Sequence, residues 1–356
     1  MVATRRGAHY GAAMDLPRVI FGAMGDEERG GAREDVLRAC ADAGFGESER
    51  LLGRALRGRE DVLVLTKVGL SWDGAHGEVL FATNERVVRK DSRPESVLRE
   101  IDRSLARLGR DHVDLVQVHQ RDPLVPIAET MDALREARDA GKVRAIGVSN
   151  YTARELREAQ AALGGAGLAS AQSRYNLLER EAEDAVLPAC RALGCAFLAY
   201  SPLSQGVLAG SMRGGRRLAR DDWRAADPKF RPALLAQVHA ALDAAAAPLA
   251  ARRGVSEGAV ALAWLLGEPG VTSVIAGARS RAQAVANLEA GALTLREDER
   301  VRLRRAFEAL RLPTSHGVRA RAKQLARRAL SRLLGDAFVA RLRAVRRRGG
   351  RNLICN

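Results

Sequence analysis

The sequence predicts an α/β domain built on a parallel sheet, either doubly wound or closed into a barrel, and three observations carry that prediction. Seven short runs rich in apolar and β-branched residues recur along the chain. Helical patterns with their own start and stop signals lie between them, through residue 310. Most of the runs are mixed or near-continuously apolar, as expected of parallel strands covered by helices. No GxGxxG follows the first run, which argues against the doubly wound dinucleotide fold.

The strand runs are RVIFGAM (18–24), DVLVLTKV (61–68), VDLVQVH (113–119), VRAIGVSN (143–150), ASAQSRY (169–175), CAFLAYSPL (195–203) and VTSVIAG (271–277). SRPE (92–95) reads as a capping box with a proline in the first turn, and TARE (152–155) and TLRE (294–297) read as capping boxes too. In AGKVRAIG a glycine stops a helix just ahead of a strand. Seven strands are one short of a closed eight-stranded barrel. The gap falls at ADAGFGESERLLG (41–53), where one helix stops at Gly44 and the next opens at Glu47.

Composition is globular, with 47% hydrophobic and 28% charged residues in 356. No apolar run reaches the length of a membrane span, and Asp15 interrupts any signal-like stretch at the start. The four cysteines, Cys40, Cys190, Cys195 and Cys355, lack CxxC spacing and read as incidental thiols of a reducing cytoplasm. The net charge of +15 is uneven: twelve Lys/Arg and one acid, Asp336, lie between Arg319 and Arg351. The basicity therefore belongs to a C-terminal tail.

In parallel α/β folds the ligand sits at the carboxyl ends of the strands. The residues there are Lys67, His119, Ser149, Asn150, Gln172, Tyr200, Ser201 and Gly277, a polar set where apolar caps would otherwise be expected. VLVLTKVG, SLARLGRDHVDLVQVHQ, GKVRAIGVSNYT, SAQSRYNLLER, AYSPLSQGVLAG and VIAGARSRAQAVANLEA, in that order, resemble successive motifs of the aldo-keto reductases over roughly residues 17–310. That resemblance implies a (β/α)8 TIM-type barrel. It also implies a nicotinamide cofactor, usually NADP(H) although NAD(H) also fits, and hydride transfer to or from an aldehyde, ketone or sugar.

It further implies roles. Lys67 matches the lysine that favours the phenolate of a catalytic tyrosine, and His119 the histidine that hydrogen-bonds the carbonyl oxygen. Ser149, Asn150 and Gln172 match the side chains holding the nicotinamide carboxamide, and Tyr200 the aromatic stacked on its ring. Ser201 and Leu203 would meet the pyrophosphate. Gly277, Arg279, Gln283 and Asn287 match the adenosine end. Arg279, alone or with Arg281, either pairs a 2′-phosphate or is simply solvated.

One departure cuts into this picture. The family's second strand and its loop, about eleven residues, are absent after DAG (42–44), and with them the catalytic tyrosine and the aspartate that supports the lysine. Substitutes for the proton source would be Tyr10 or His119 itself. From Gly44 to Glu47 the chain reaches at most about 11 Å, whereas a strand climbs roughly 17–20 Å. Helices at 33–43 and 47–57 therefore cannot both hold family positions. The first and third strands would be left about 9–10 Å apart across an empty lane. The expected barrel is thus incomplete, with a distorted N-terminal quarter.

The reading divides the chain into a barrel (1–311) and a basic helical extension (312–356). Apolar residues at 322, 325, 326, 329, 330, 333 and 334 repeat at helical spacing in that extension. A helix packed on the barrel, a surface helix on anionic membrane and a nucleic-acid or acidic-partner arm are all open readings. The functional expectation is a carbonyl oxidoreductase acting on a small-molecule carbonyl or sugar, with impaired activity. The rivals are a catalytically inactive nicotinamide-binding or interaction protein, and a decayed product of an internal deletion. Trp72 either lines the substrate pocket or packs within its loop. Substrate and oligomeric state are not encoded legibly.

Overall fold

The computed structural model describes residues 2–4, 16–21, 45–82, 86–210, 212–214, 218, 224, 227–278 and 280–310. Four expectations lie outside those residues: the helix at 33–43, Tyr10, Arg279 and the basic extension.

All seven expected strands form. They are β2 (Val19–Phe21), β3 (Val62–Val68), β7 (Val113–Val118), β8 (Val143–Ser149), β9 (Ser170–Arg174), β10 (Ala196–Tyr200) and β11 (Val271–Ala276). Neighbours pair in parallel in the order β2-β11-β10-β9-β8-β7-β3. The barrel closes through an eighth segment that the sequence did not announce. β1 (Val2–Thr4) lies antiparallel between β2 and β3, with Val2 opposite both Phe21 and Val64, Ala3 opposite Leu63 and Thr4 opposite Val62. The lane expected to be empty is thus occupied in its lower half by the N-terminal segment. Both flanking edges carry unpaired backbone groups that a third extended segment satisfies.

Helices α1 (Glu47–Ala55), α2 (Pro94–Leu108), α3 (Ile127–Asp139), α4 (Ala153–Leu163), α5 (Val186–Leu193), α6 (Pro232–Arg253), α7 (Glu257–Leu266), α8 (Arg281–Ala292) and α9 (Glu297–Ala306) surround the sheet. The Thr152 capping box forms as expected, with Glu155 N–H donating to the Thr152 hydroxyl. The other two shift. α2 is capped from Arg93 without a side-chain bond, since the Ser92 N–H donates to the Asp122 carboxylate instead. α9 starts after Arg296, whose N–H donates to Glu299. α6 is long and apolar enough to cross a membrane by composition, but Val238, Leu242, Ala246 and Leu249 are buried in the protein, as in a core helix. A π turn at Leu242–Ala246 precedes Pro248, which has no N–H to give an α-helical ladder.

Two apolar layers result. A small cluster including Ile20, Leu63, Leu65, Leu115, Leu198 and Ile275 fills the lumen. A larger one lies between the strands and the helices. α1 packs against α2 so closely that a Cβ on Gly53 would stand 2.6 Å from the Leu108 carbonyl oxygen. A small sheet of β4 (Leu70–Ser71), β5 (Glu78–Ala82) and β6 (Val87–Lys90) follows β3 and was not foreseen.

Candidate active site

Alternation along each strand decides which strand-end residues face the lumen. Leu63 and Leu65 belong to the lumen cluster, so Lys67 faces the same way two residues higher. The same step from Leu115 places Gln117 and then His119, and from Ala145 places Gly147 and Ser149. Lys67 stands opposite Gln117 in register, and the His119 N–H donates to the Val68 carbonyl at 2.8 Å. Lys67 and His119 are therefore neighbours at the mouth.

A hydrogen-bonded network surrounds them. Asn150 holds a left-handed backbone (φ 60°) and donates through Nδ2 to the His119 carbonyl at 3.0 Å and to the Ser149 hydroxyl at 3.1 Å. The Tyr200 hydroxyl donates to Asn150 Oδ1 at 2.9 Å. Gln172 donates to Gln117 at 2.6 Å, and Gln117 to the Ser170 hydroxyl at 2.9 Å. Five of the expected residues, His119, Ser149, Asn150, Gln172 and Tyr200, are thus brought into one polar floor. Gln117 belongs to it as well and was missed, although its position one strand period below His119 marks it as facing the lumen.

Charge is tuned by burial. Burial lowers the Lys67 ammonium to about 8. Burial, and then the nearby Lys67 charge, lowers His119 to about 3. His119 is therefore a neutral imidazole near pH 7, able to take part in hydrogen bonds but not charged as an imidazolium acid. Burial pushes the Tyr200 hydroxyl up, against the opposing pull of Arg174. The Arg174 guanidinium lies 5.6 Å over the Tyr200 ring and pairs with Glu179 at 2.9 Å. A flat ring stacked on Tyr200 must take the opposite face. Arg174 was also missed.

No tyrosine or carboxylate among the described residues bonds to Lys67. Tyr151 is buried, and its hydroxyl is pushed up chiefly by burial. Tyr175 packs in the outer layer against Phe197 and Trp264 and donates to Glu183 at 2.6 Å. A carboxyl that sequence reasoning passed over, Glu100 on α2, accepts from the Gly69 N–H at 2.9 Å just past β3, and burial pushes it up to about 8. Trp72 packs edge-on to Phe45 at 5.7 Å, with Arg107 over its ring, which favours loop packing over a pocket wall.

The loop after β10 tests the fit to a dinucleotide. Ser201, Ser204 and Gln205 all have positive φ, and the buried Ser204 hydroxyl and Gln205 Oε1 have no protein partner. Strain and unmet polar atoms in one loop suit a polar ligand. Leu203 supplies the carbonyl that turns this loop back on itself. Across the mouth, Ser280 caps α8 by accepting from the Gln283 N–H, and Asn287 donates to the Gly277 carbonyl at 3.0 Å. A Cβ on Gly277 would meet nothing within 4 Å, so that backbone borders open space. The residues present fit a nicotinamide dinucleotide, which Ser149, Asn150, Gln172, Tyr200, Ser201, Leu203, Gly277, Gln283 and Asn287 could hold.

The Aldo/keto reductase family model matches residues 40–308. This chain belongs to the aldo/keto reductase family. It is 36% identical over 259 residues to aldo-keto reductase YhdN of Bacillus subtilis, covering 72% of this chain and 74% of that one. It is 35% identical over 276 residues to the NADH-specific methylglyoxal reductase of Escherichia coli, covering 75% and 81%. Among solved structures it resembles a glycerol dehydrogenase of Gluconobacter oxydans, with TM-score 0.72 and 31% identity, covering 83% of this chain and 93% of that one. The aldo/keto reductase assignment makes the chain an oxidoreductase by family.

Proposed function

We propose that this chain binds a nicotinamide dinucleotide at the barrel mouth and interconverts a small aldehyde or ketone with its alcohol, at a rate well below that of relatives with a complete site. The observation that carries the reading is Lys67 beside His119 on a floor of Ser149, Asn150, Gln172 and Tyr200, with no phenol among the described residues bonded to Lys67. The bound dinucleotide supplies or accepts the hydride. The neutral His119 hydrogen-bonds the carbonyl oxygen and orients it. The Asn150 bonds fix both the His119 backbone and the Tyr200 ring, and so the plane on which a nicotinamide would rest. The Lys67 ammonium stabilises charge developing on the oxygen. With no tyrosine among the described residues at this place, proton delivery falls to solvent in this reading, a loss of roughly 10²–10⁴-fold.

A relative named as NADH-specific supports NADH as an alternative to NADPH; an arginine pairing a 2′-phosphate would favour NADPH. Cys190 and Cys195, both buried and unbridged, support a reducing cytoplasmic setting. The second reading, a dinucleotide-binding protein without turnover, draws on the missing partners of Lys67. Two assays decide. Quenching of intrinsic fluorescence by NADPH and NADH reads binding. Oxidation of either by methylglyoxal and glyceraldehyde reads catalysis. Binding with slow oxidation supports the first reading, and binding with none supports the second. Absence of binding overturns both.

A further inference from the structure

We propose that Lys67 captures small aldehydes as a covalent imine, in a reaction that needs no dinucleotide.

The chain has five lysines, Lys67, Lys90, Lys142, Lys229 and Lys323, and otherwise uses arginine for its cations. Only an amine can condense with a carbonyl, because guanidinium does not deprotonate near neutrality. Four of the five are described, and three of those are held by carboxylates. Lys90 pairs with Glu78 at 3.4 Å, Lys142 with Asp102 at 2.5 Å, and the buried Lys229 with Asp227 at 3.4 Å. The Lys67 ammonium alone among those of the described lysines has neither a hydrogen bond nor an ion pair with a described residue. It is half-buried at the mouth, on the lumen face of β3. The described part of β1 reaches only the level of Val64, three residues below it. An amine that is partly desolvated, unpaired among the described residues and half-exposed at the carboxyl end of its strand meets the requirements for a carbonyl nucleophile.

The step balances without a redox partner. The Lys67 nitrogen lone pair forms a C–N bond to the carbonyl carbon as the C=O π pair moves onto oxygen. Nitrogen gives up its proton and oxygen takes one, giving a carbinolamine. The C–O bond then breaks, water leaves, and C=N forms. His119, a neutral imidazole beside Lys67, is placed to hydrogen-bond the carbinolamine oxygen. Burial lowers Lys67 to about 8, so at neutral pH far more of this amine is unprotonated than of an ordinary lysine at about 10.4.

The test uses propanal with cyanoborohydride at neutral pH and no dinucleotide, followed by peptide mapping by mass spectrometry. The expected result is a propyl group on the Lys67 peptide, introduced about tenfold faster than on Lys90, Lys142 or Lys229, with the α-amino terminus, an ordinary amine at about 8, mapped apart on its own peptide. Labelling that follows exposure, with Lys90 and Lys142 ahead of Lys67, overturns the proposal. Lys67→Arg should abolish the fast phase while keeping the positive charge, and its thermal melting reports whether it is folded. Should that variant fail to fold, the map of the unaltered protein still decides. Because dinucleotide is left out, failure here leaves the reductase reading standing, and failure to bind dinucleotide leaves this proposal standing.

Discussion

Ala3→Pro tests the way the barrel closes. The Val64 N–H donates to Asp114 on β7 at 2.8 Å, so the polar groups of Leu63, the next residue down, point the other way, into the lane of β1. Ala3 stands opposite Leu63, and Val2 opposite Phe21. An antiparallel ladder at those two pairs gives about four hydrogen bonds, worth about 1 kcal/mol each in net terms. Ordering three backbones costs about 1–2 kcal/mol per residue. The two nearly cancel, so what holds β1 is the cost its release would leave on the unpaired Leu63 groups. A proline at position 3 removes the N–H that faces Leu63 and cannot sit between two strands. Release of β1 then costs about 1–3 kcal/mol, largely from the Leu63 groups left unpaired. Urea unfolding measures the loss, and hydrogen exchange locates it. The Leu63 amide should lose its protection in the variant, while the Leu115 amide, on the far side of β3, keeps its own. Equal protection of Leu63 in both proteins would refute the argument, since the N-terminal segment would then not be what closes the sheet.

Three further outcomes are expected. Glu100 titrates at about 8 when folded against an ordinary 4.5, because burial disfavours its charge. The unfolded chain gives up that proton first, so stability falls as pH rises from the lower value to the upper one. Glu100→Gln keeps the acceptor for Gly69 and should flatten that fall in urea midpoints taken across the range. Asn150→Ala removes the bonds to the His119 carbonyl, the Ser149 hydroxyl and the Tyr200 hydroxyl and places a Cβ-bearing residue without local bonding at φ 60°. It should weaken dinucleotide binding about tenfold in fluorescence titration, one to two hydrogen bonds' worth. Gly53→Ala puts a Cβ against the Leu108 carbonyl and should lower thermal stability by about 1–3 kcal/mol as α1 is pushed off α2.

The parallel strands were legible because each is a run of apolar, β-branched residues bracketed by helix signals, and their ends could be read for chemistry because lumen-facing positions repeat every second residue. Lys67, His119, Ser149, Gln172 and Tyr200 emerge by that rule, and Asn150 was read from its place just past the end of its strand. Gln117 obeys it too, yet it was passed over because it sits inside a strand rather than at its end. β1 was illegible for a physical reason: three residues carry no periodicity, and their conformation is set by two edges far away in sequence. β5 escaped notice because both its faces are largely exposed, so no apolar alternation marks it. The Ser92 capping box failed because a tertiary partner, Asp122, claims the Ser92 backbone N–H.

The direction of β1 has a practical consequence. Its chain descends from Val2 at the level of Val64 to Thr4 at the level of Val62, so whatever precedes Val2 must approach from the side where Lys67 and His119 lie. A purification tag fused ahead of the first residue would be threaded toward the reaction chamber. Removing such a handle by cleavage is therefore the sound choice before any rate or affinity is compared.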